Sequence, residues 1–263
     1  MSKWSSGGWG SAYQPGTLTA GEVKIAAPRG ARLEGVEQAI RLASGREALE
    51  LRSAHTPSGF EAARVLAFDA FLGPAENAAL HAFALAQRDR FFPATVTEDY
   101  VTAIDGELRR AKVIRDFGDW QVRMIERVGA LSRDVAEHLG ALHRLGPKVE
   151  AELTAHNDAD FFAMHADAGN DRAARLLTYV YYFRREPAAF EGGELRLFDS
   201  KPESDGSRSV GNAFDIEPVN DRLVLFLSQH LHEVRPIRCP TRRFEDGRFT
   251  VNGWVHRAPD PTK

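Results

Sequence analysis

Apolar positions recur along this chain with two different periods, and the change between them falls near residue 147. From Asp119 to Leu139, the residues Val122, Ile125, Val128, Leu131, Val135 and Leu139 return every three or four positions, which predicts one amphipathic helix. Pro74 to Arg88 repeats that spacing at Leu80, Phe83 and Leu85 behind the breaker Gly73-Pro74, and predicts a second helix. Just ahead of it, Val65, Leu66, Phe68 and Phe71 read as a strand. The pattern from Gly35 to Leu51 resembles a short helix, whereas residues 91–117 hold no helical period and suggest strands and loops. The first sixteen residues are rich in Gly and Ser but carry Trp4, Trp9 and Tyr13. They are expected to form a flexible tail, the alternative being an arm that docks its aromatics.

After Gly146-Pro147 the texture turns to short apolar runs. KVEAELTAH, the run around DFFAMHAD, ARLLTYVYYF, GELRLF, DRLVLFLS, HEVRPI and RFTVNGWVH predict seven strands. Gly169-Asn170, Gly192-Gly193, the Ser/Asp/Gly stretch 199–212 and Asp246-Gly247 are the expected turns between them. Strands without intervening helices point to a sandwich or barrel rather than a parallel sheet. The fold class is therefore α+β, with helices first and a strand-rich second half.

Composition narrows the partners. In 263 residues, 34 Lys and Arg stand against 37 Asp and Glu, a formal net charge of −3. No bulk basic field would hold the chain on nucleic acid or an anionic membrane, so neither is an expected partner. The single cysteine, Cys239, excludes an intramolecular disulfide and any multi-thiolate zinc site. No apolar run has the length of a membrane span, and Met1 to Gln14 hold no signal-peptide core. A cytoplasmic location is expected.

Candidate chemistry begins at His165-Ala166-Asp167. Residues two apart on a strand project from the same face, so an imidazole and a carboxylate there can grip one ion. Phe161-Phe162 would wall that face with apolar surface. A third ligand is needed, and His230, His232 and His256 are available. His232 is preferred because it enters the core directly after the apolar run DRLVLFLS, with His230 as a substitute. Two imidazoles and one carboxylate make the facial arrangement that suits non-haem Fe(II). Arg248 lies in the otherwise apolar strand GRFTVNGWVH, where an unpaired guanidinium is expensive unless it faces solvent or holds a carboxylate through its fork. Upstream, Thr178, Val180 and Tyr182 share one face of their strand, opposite Tyr179 and Tyr181, so a Tyr hydroxyl and an Arg fork could converge on a dicarboxylate. His156 lies on the strand leading into the His-x-Asp triplet; the other histidines are expected at the surface or as hydrogen-bonded core residues.

FFAMHAD, RLLTYVYYF, FEGGELRLF, IEPVNDRLVLFLSQHLHEV and GRFTVNGWVH, in that order, resemble the Fe(II)- and 2-oxoglutarate-dependent dioxygenases of the prolyl 4-hydroxylase-like family. The resemblance runs from about Val65 to His256. It implies a double-stranded β-helix (jelly-roll, cupin-like) core with supporting N-terminal helices. It also divides the chain into an extension over 1–62, partly flexible, and a dioxygenase domain over 63–263. His165, Asp167 and His232 would be the iron ligands and catalytic centre. Arg248, Tyr182 and Thr178 would bind the cosubstrate, with Leu195 and Val234 lining its pocket and Trp254 close by. The two glycines of FEGGELRLF would turn the chain tightly into the next strand. The segment RPIRCPTRRFEDG is longer than the corresponding loop of the family, which leaves Arg242 or Arg243 as substitutes for Arg248.

The implied cofactors are Fe(II), 2-oxoglutarate as cosubstrate and O2, with ascorbate as a candidate reductant. The implied reaction is hydroxylation of an unactivated C–H bond in a prolyl or other amino-acid or peptide substrate, releasing succinate and CO2. Asp167 argues for hydroxylation over halogenation, because the related halogenases leave that position to chloride. Segment 199–212 and the cluster Arg109, Arg110, Lys112 and Arg115 are candidate rims for a small-molecule or peptidyl substrate. The alternatives are a non-catalytic β-helix acting as a binding or sensor module, and a zinc hydrolase using the same triad. The oligomeric state does not follow.

Overall fold

The computed structural model describes residues 33–98, 101–168, 174–204 and 208–259. The expected tail with Trp4, Trp9 and Tyr13 lies outside the described residues. In chain order come β1 (Gly35–Arg41), β2 (Glu47–Ser53), β3 (Arg64–Phe68), α1 (Pro74–Ala86), β4 (Phe92–Pro93), β5 (Val96–Glu98) and β6 (Val101–Ala103). Then follow β7 (Arg109–Arg110), β8 (Lys112–Ile114), α2 (Asp119–His138), β9 (Leu145–His156), β10 (Phe161–His165), β11 (Arg175–Phe183) and β12 (Glu191–Gly192). The last strands are β13 (Leu195–Pro202), β14 (Arg208–Ile216), β15 (Arg222–Leu227), β16 (His232–Val234), β17 (Ile237–Arg238) and β18 (Arg248–Arg257).

Nine strands form a major sheet in the order β1-β2-β3-β15-β11-β18-β9-β8-β4, and five form a minor sheet in the order β14-β13-β16-β10-β7. Alternation along β11 decides what each face of the major sheet meets. Leu177, Tyr179, Tyr181 and Phe183 face a large core shared with Leu80 and Ala84 of α1 and with Met124, Val128, Leu131 and Val135 of α2. Val180 and Tyr182 point the other way, into a second core where Val65, Val224 and Phe226 meet Leu195, Leu197, Phe214 and Ile216 of the minor sheet. The molecule is thus layered as helices, major sheet, minor sheet.

Four expectations are corrected. Gly35 to Leu51 is not a helix; it belongs to the β1–β2 hairpin, which extends the major sheet beyond β3. Its Ala and Glu favour helix, but Ala48, Leu51 and Ser53 are buried on the sheet, and tertiary pairing overrides the local preference. Residues 199–212 are not one loop, because 199–202 fall in β13 and 208–212 in β14. Asp199 and Ser200 are buried there: Asp199 accepts from the Ala63 amide at 3.0 Å, and Arg208 donates to Ser200 at 2.8 Å. With β12 and β17, β14 raises the second half beyond the seven expected strands. On α2 the buried stripe runs through Met124, Val128, Leu131 and Val135, whereas Val122 is 56% exposed.

Candidate active site

His165 closes β10 and His232 opens β16, and these two strands pair across the minor sheet. Asp167 stands just past β10, held by its own amide and that of Ala168, which both donate to the Ser228 carbonyl at 3.0 and 2.9 Å. One ligand atom from each of His165, Asp167 and His232 lies within 4.8 Å of the others. Both imidazoles are oriented by the same device. His165 Nδ1 is 2.8 Å from the Ala163 carbonyl and His232 Nδ1 is 2.9 Å from the His230 carbonyl. A carbonyl only accepts, so each Nδ1 carries the proton, and Nε2 of the neutral ring presents a lone pair. Those Nε2 atoms lie 3.7 Å (His165) and 3.4 Å (His232) from Asp167 oxygens.

Burial, with His232 next, pushes the His165 pKa down to about 3, so that ring is neutral at pH 7. Burial alone would raise the Asp167 carboxyl, whereas the hydroxyl proton that Thr178 gives to Oδ2 favours its anion. Three electron-pair donors facing one another without protons between them suit a cation, and the set fits Fe(II). Phe162 stacks on His165 with centroids 3.7 Å apart, and Phe226 meets His232 edge-on at 4.9 Å.

Thr178 of β11 gives its hydroxyl proton to Asp167 Oδ2 at 2.7 Å and lies 3.0 Å from Ser228 Oγ. Four residues along the same face, the Tyr182 ring centroid sits 4.9 Å from the Arg248 guanidinium carbon. Arg248 is 2% exposed, and no carboxylate among the described residues forms an ion pair with it. Arg248 Nε and the Tyr182 hydroxyl are both buried without a hydrogen-bond partner; the two groups attract but are not aligned. A buried guanidinium whose Nε is open, beside a hydroxyl without a partner, fits one end of a dicarboxylate. Gly192 and Gly193 have φ of +77° and +75°, and a Cβ on Gly193 would stand 2.9 Å from Arg248 Cδ. The tight turn therefore also makes room for the arginine. Leu195 is buried against Tyr182's cluster and pairs with Val234, which in turn pairs with Phe162.

The structure separates the other candidates from this centre. His230 contributes its carbonyl to His232 and its ring is not part of the cluster. His256 Nε2 faces Glu150 at 3.3 Å. Arg242 and Arg243 pair with Asp158 and Asp246 at 2.9 and 2.8 Å, and so do not replace Arg248. The long segment between His232 and Arg248 is built in, through β17 paired with β12 and Phe244 packed on Phe249.

Other neighbours were not singled out from the chain for the places they take. Arg175 Nη1 is 3.8 Å from Asp167 Oδ1, and its guanidinium carbon lies 3.4 Å from the centroid of Trp254. Within the expected basic cluster, Arg109 alone stacks on Phe162, at 5.0 Å, while pairing with Glu152 at 2.9 Å. Only Arg109's place opposite Phe162 in the β7–β10 pairing distinguishes it, and that is a tertiary fact.

Comparison with known proteins places the fold. Residues 151–256 match the model of the 2OG-Fe(II) oxygenase superfamily. An uncharacterised PKHD-type hydroxylase of Synechocystis sp. is 34% identical over 197 residues, which are 71% of this chain. The match spans 61% of that relative's length. A crystal structure of a Pseudomonas putida prolyl-4-hydroxylase superposes with a TM-score of 0.50 at 23% identity, covering 76% of this chain and 94% of that one. A prolyl hydroxylase from Trichoplax adhaerens, in complex with a hypoxia-inducible-factor peptide fragment, gives 0.49 at 20% identity over 73% of this chain and 83% of its own. The layered sheets are thus the expected double-stranded β-helix. The matched segment runs from β9 through His256 and holds the donor cluster, so the site lies within the stretch that is similar to the 2OG-Fe(II) oxygenase superfamily.

Proposed function

We propose that this chain is a dioxygenase that uses Fe(II), 2-oxoglutarate and O2 to hydroxylate an unactivated C–H bond, releasing succinate and CO2. The observation that carries this reading is the buried arginine without a carboxylate, Arg248, in the same interlayer space as the His165–Asp167–His232 cluster. His165, Asp167 and His232 would hold the iron, and Arg248 with Tyr182 would bind the distal carboxylate of the cosubstrate. Iron bound there with cosubstrate and oxygen supplies the oxidising chemistry.

The chain's own contribution is placement and charge. Thr178 holds Asp167 as an aimed anion, while Phe162 and Phe226 keep water from the imidazole faces. Arg248 offsets the cosubstrate charge that the metal does not. The names of the relatives, a prolyl-4-hydroxylase and a PKHD-type hydroxylase, favour a prolyl or other amino-acid or peptide substrate. Ascorbate as reductant and a cytoplasmic setting belong to the same proposal.

The test is succinate formed from 2-oxoglutarate by anaerobically Fe(II)-loaded protein on exposure to oxygen, with proline-containing peptides and free amino acids as substrates. Wild type should turn over slowly without substrate and faster with the right one, and both His165→Ala and Arg248→Ala should abolish turnover. Undiminished succinate from His165→Ala would sink the ligand assignment. Tight 2-oxoglutarate binding with no succinate under any condition would replace the enzyme with a binding module.

A further inference from the structure

His156 ends β9 directly opposite Arg248, the first residue of β18. Its Nδ1 lies 3.2 Å from Arg248 Nη1, and the two residues are 5% and 2% exposed. A guanidinium can only donate, so Nδ1 accepts and the ring proton sits on Nε2. Burial first, then the charges of Arg248 and Arg109, keep this imidazole's pKa well below its ordinary value. The acceptor is therefore uncharged.

That is an unusual partner for a buried arginine, which is ordinarily oriented by a carboxylate. A carboxylate would cancel the charge of Arg248 and occupy the fork a ligand needs. A neutral imidazole fixes the rotation of the guanidinium and leaves both charge and fork available. Other basic or acidic residues near the pair do not substitute for it: Glu152 is taken by Arg109, and Glu194 acts on Arg248 only at a distance.

We propose that His156 is a positioning residue that aims the Arg248 guanidinium at the distal carboxylate of the cosubstrate without neutralising it. The inference rests on the reading above, that 2-oxoglutarate is the cosubstrate.

The test compares Mn(II)-loaded wild type, His156→Leu, His156→Asn and His156→Glu by calorimetric titration with 2-oxoglutarate and with oxalate. Oxalate chelates a metal but has no distal carboxylate to reach Arg248. Wild type and His156→Leu should bind oxalate alike, while the Leu variant binds 2-oxoglutarate about tenfold more weakly, as for loss of a hydrogen bond to a charged group. In turnover the same variant should raise the KM for 2-oxoglutarate by that factor with kcat changed less than about twofold. His156→Asn, whose Oδ1 can take the place of Nδ1, should stay within about threefold of wild type. His156→Glu should lose more than Leu, because its carboxylate pairs with the arginine.

Unchanged 2-oxoglutarate affinity in His156→Leu, or equal weakening of both ligands, would overturn the positioning role. Should the Leu chain not fold, Asn binding 2-oxoglutarate no better than Glu overturns it instead. Wild type that binds oxalate but not 2-oxoglutarate would overturn the cosubstrate reading itself, and the inference with it.

Discussion

Between the two sheets, one half of the interior is apolar and the other half is polar. Beneath β3 and β15 the space is filled by Val65, Val224 and Phe226 against Leu197, Phe214 and Ile216. Beneath β9 and β18 it is lined by Glu152, Thr154, His156, Arg248, Thr250 and Asn252. The polar half is partly satisfied internally. Glu152 holds Arg109, and Asn252 Oδ1 accepts from Thr154 at 2.7 Å and Thr250 at 3.1 Å. Arg248 Nε and the Tyr182 hydroxyl remain open. Identical strand geometry thus carries opposite fillings. Cohesion is concentrated where hydrocarbon meets hydrocarbon, and recognition where buried polar atoms lack partners.

Four experiments bear on that division. Phe214→Ala, in the apolar half, should lower the unfolding free energy by about 3–5 kcal/mol in urea denaturation. A loss below about 1 kcal/mol would mean the apolar half is not the clamp between the sheets. Arg248→Met, in the polar half, should act in the opposite sense. It removes a buried charge that lacks a carboxylate partner, so the ligand-free protein should be unchanged or up to about 2 kcal/mol more stable. Its 2-oxoglutarate affinity should fall about 100-fold in the same titration. A variant destabilised as strongly as Phe214→Ala would erase the contrast.

Thr178→Val keeps the shape of the side chain but releases Asp167. Divalent-metal affinity, read by competition with a chelator, should weaken about tenfold. The smallest effect lies outside the interlayer space, at Glu50. Hydrogen bonding to Arg64 dominates there, with His138 adding to it and burial opposing, and the carboxyl is held below its ordinary value of 4.5. Its contribution is therefore fully present above pH 4.5 and lost as pH falls through the lower folded-state value. The stability gap between wild type and Glu50→Gln should close between pH 6 and acid pH; a constant gap would show that the carboxylate is not what ties β2 and β3 to α2.

How much of this was legible in the chain depended on whether a residue's role is local. The alternation of RLLTYVYYF is a local property, and it correctly set Thr178 and Tyr182 on the face opposite Tyr179 and Tyr181. Arg248 stood out because an arginine among Phe, Thr and Val is a contradiction visible in five residues. The β1–β2 hairpin was illegible because its Ala and Glu favour helix, and only pairing with β3 reverses that. Segment 199–212 looked solvated because Asp and Ser ordinarily are; the backbone and side-chain groups that bury Asp199 and Ser200 are supplied by Ala63 and Arg208. Arg109 and Glu152 are 43 positions apart, and nothing in either neighbourhood announces the other.

One contact sets a dimension. Arginine is ordinarily a long adjustable arm, yet the aliphatic stem of Arg248 rests against a backbone turn so close that a methyl on Gly193 would be 2.9 Å from its Cδ. At the far end, the imidazoles are pinned to carbonyls of their own strands. Neither end can retreat, so the separation of the arginine from the imidazoles belongs to the sheets rather than to rotamers. A dicarboxylate bridging the two as proposed would be gauged by that fixed separation.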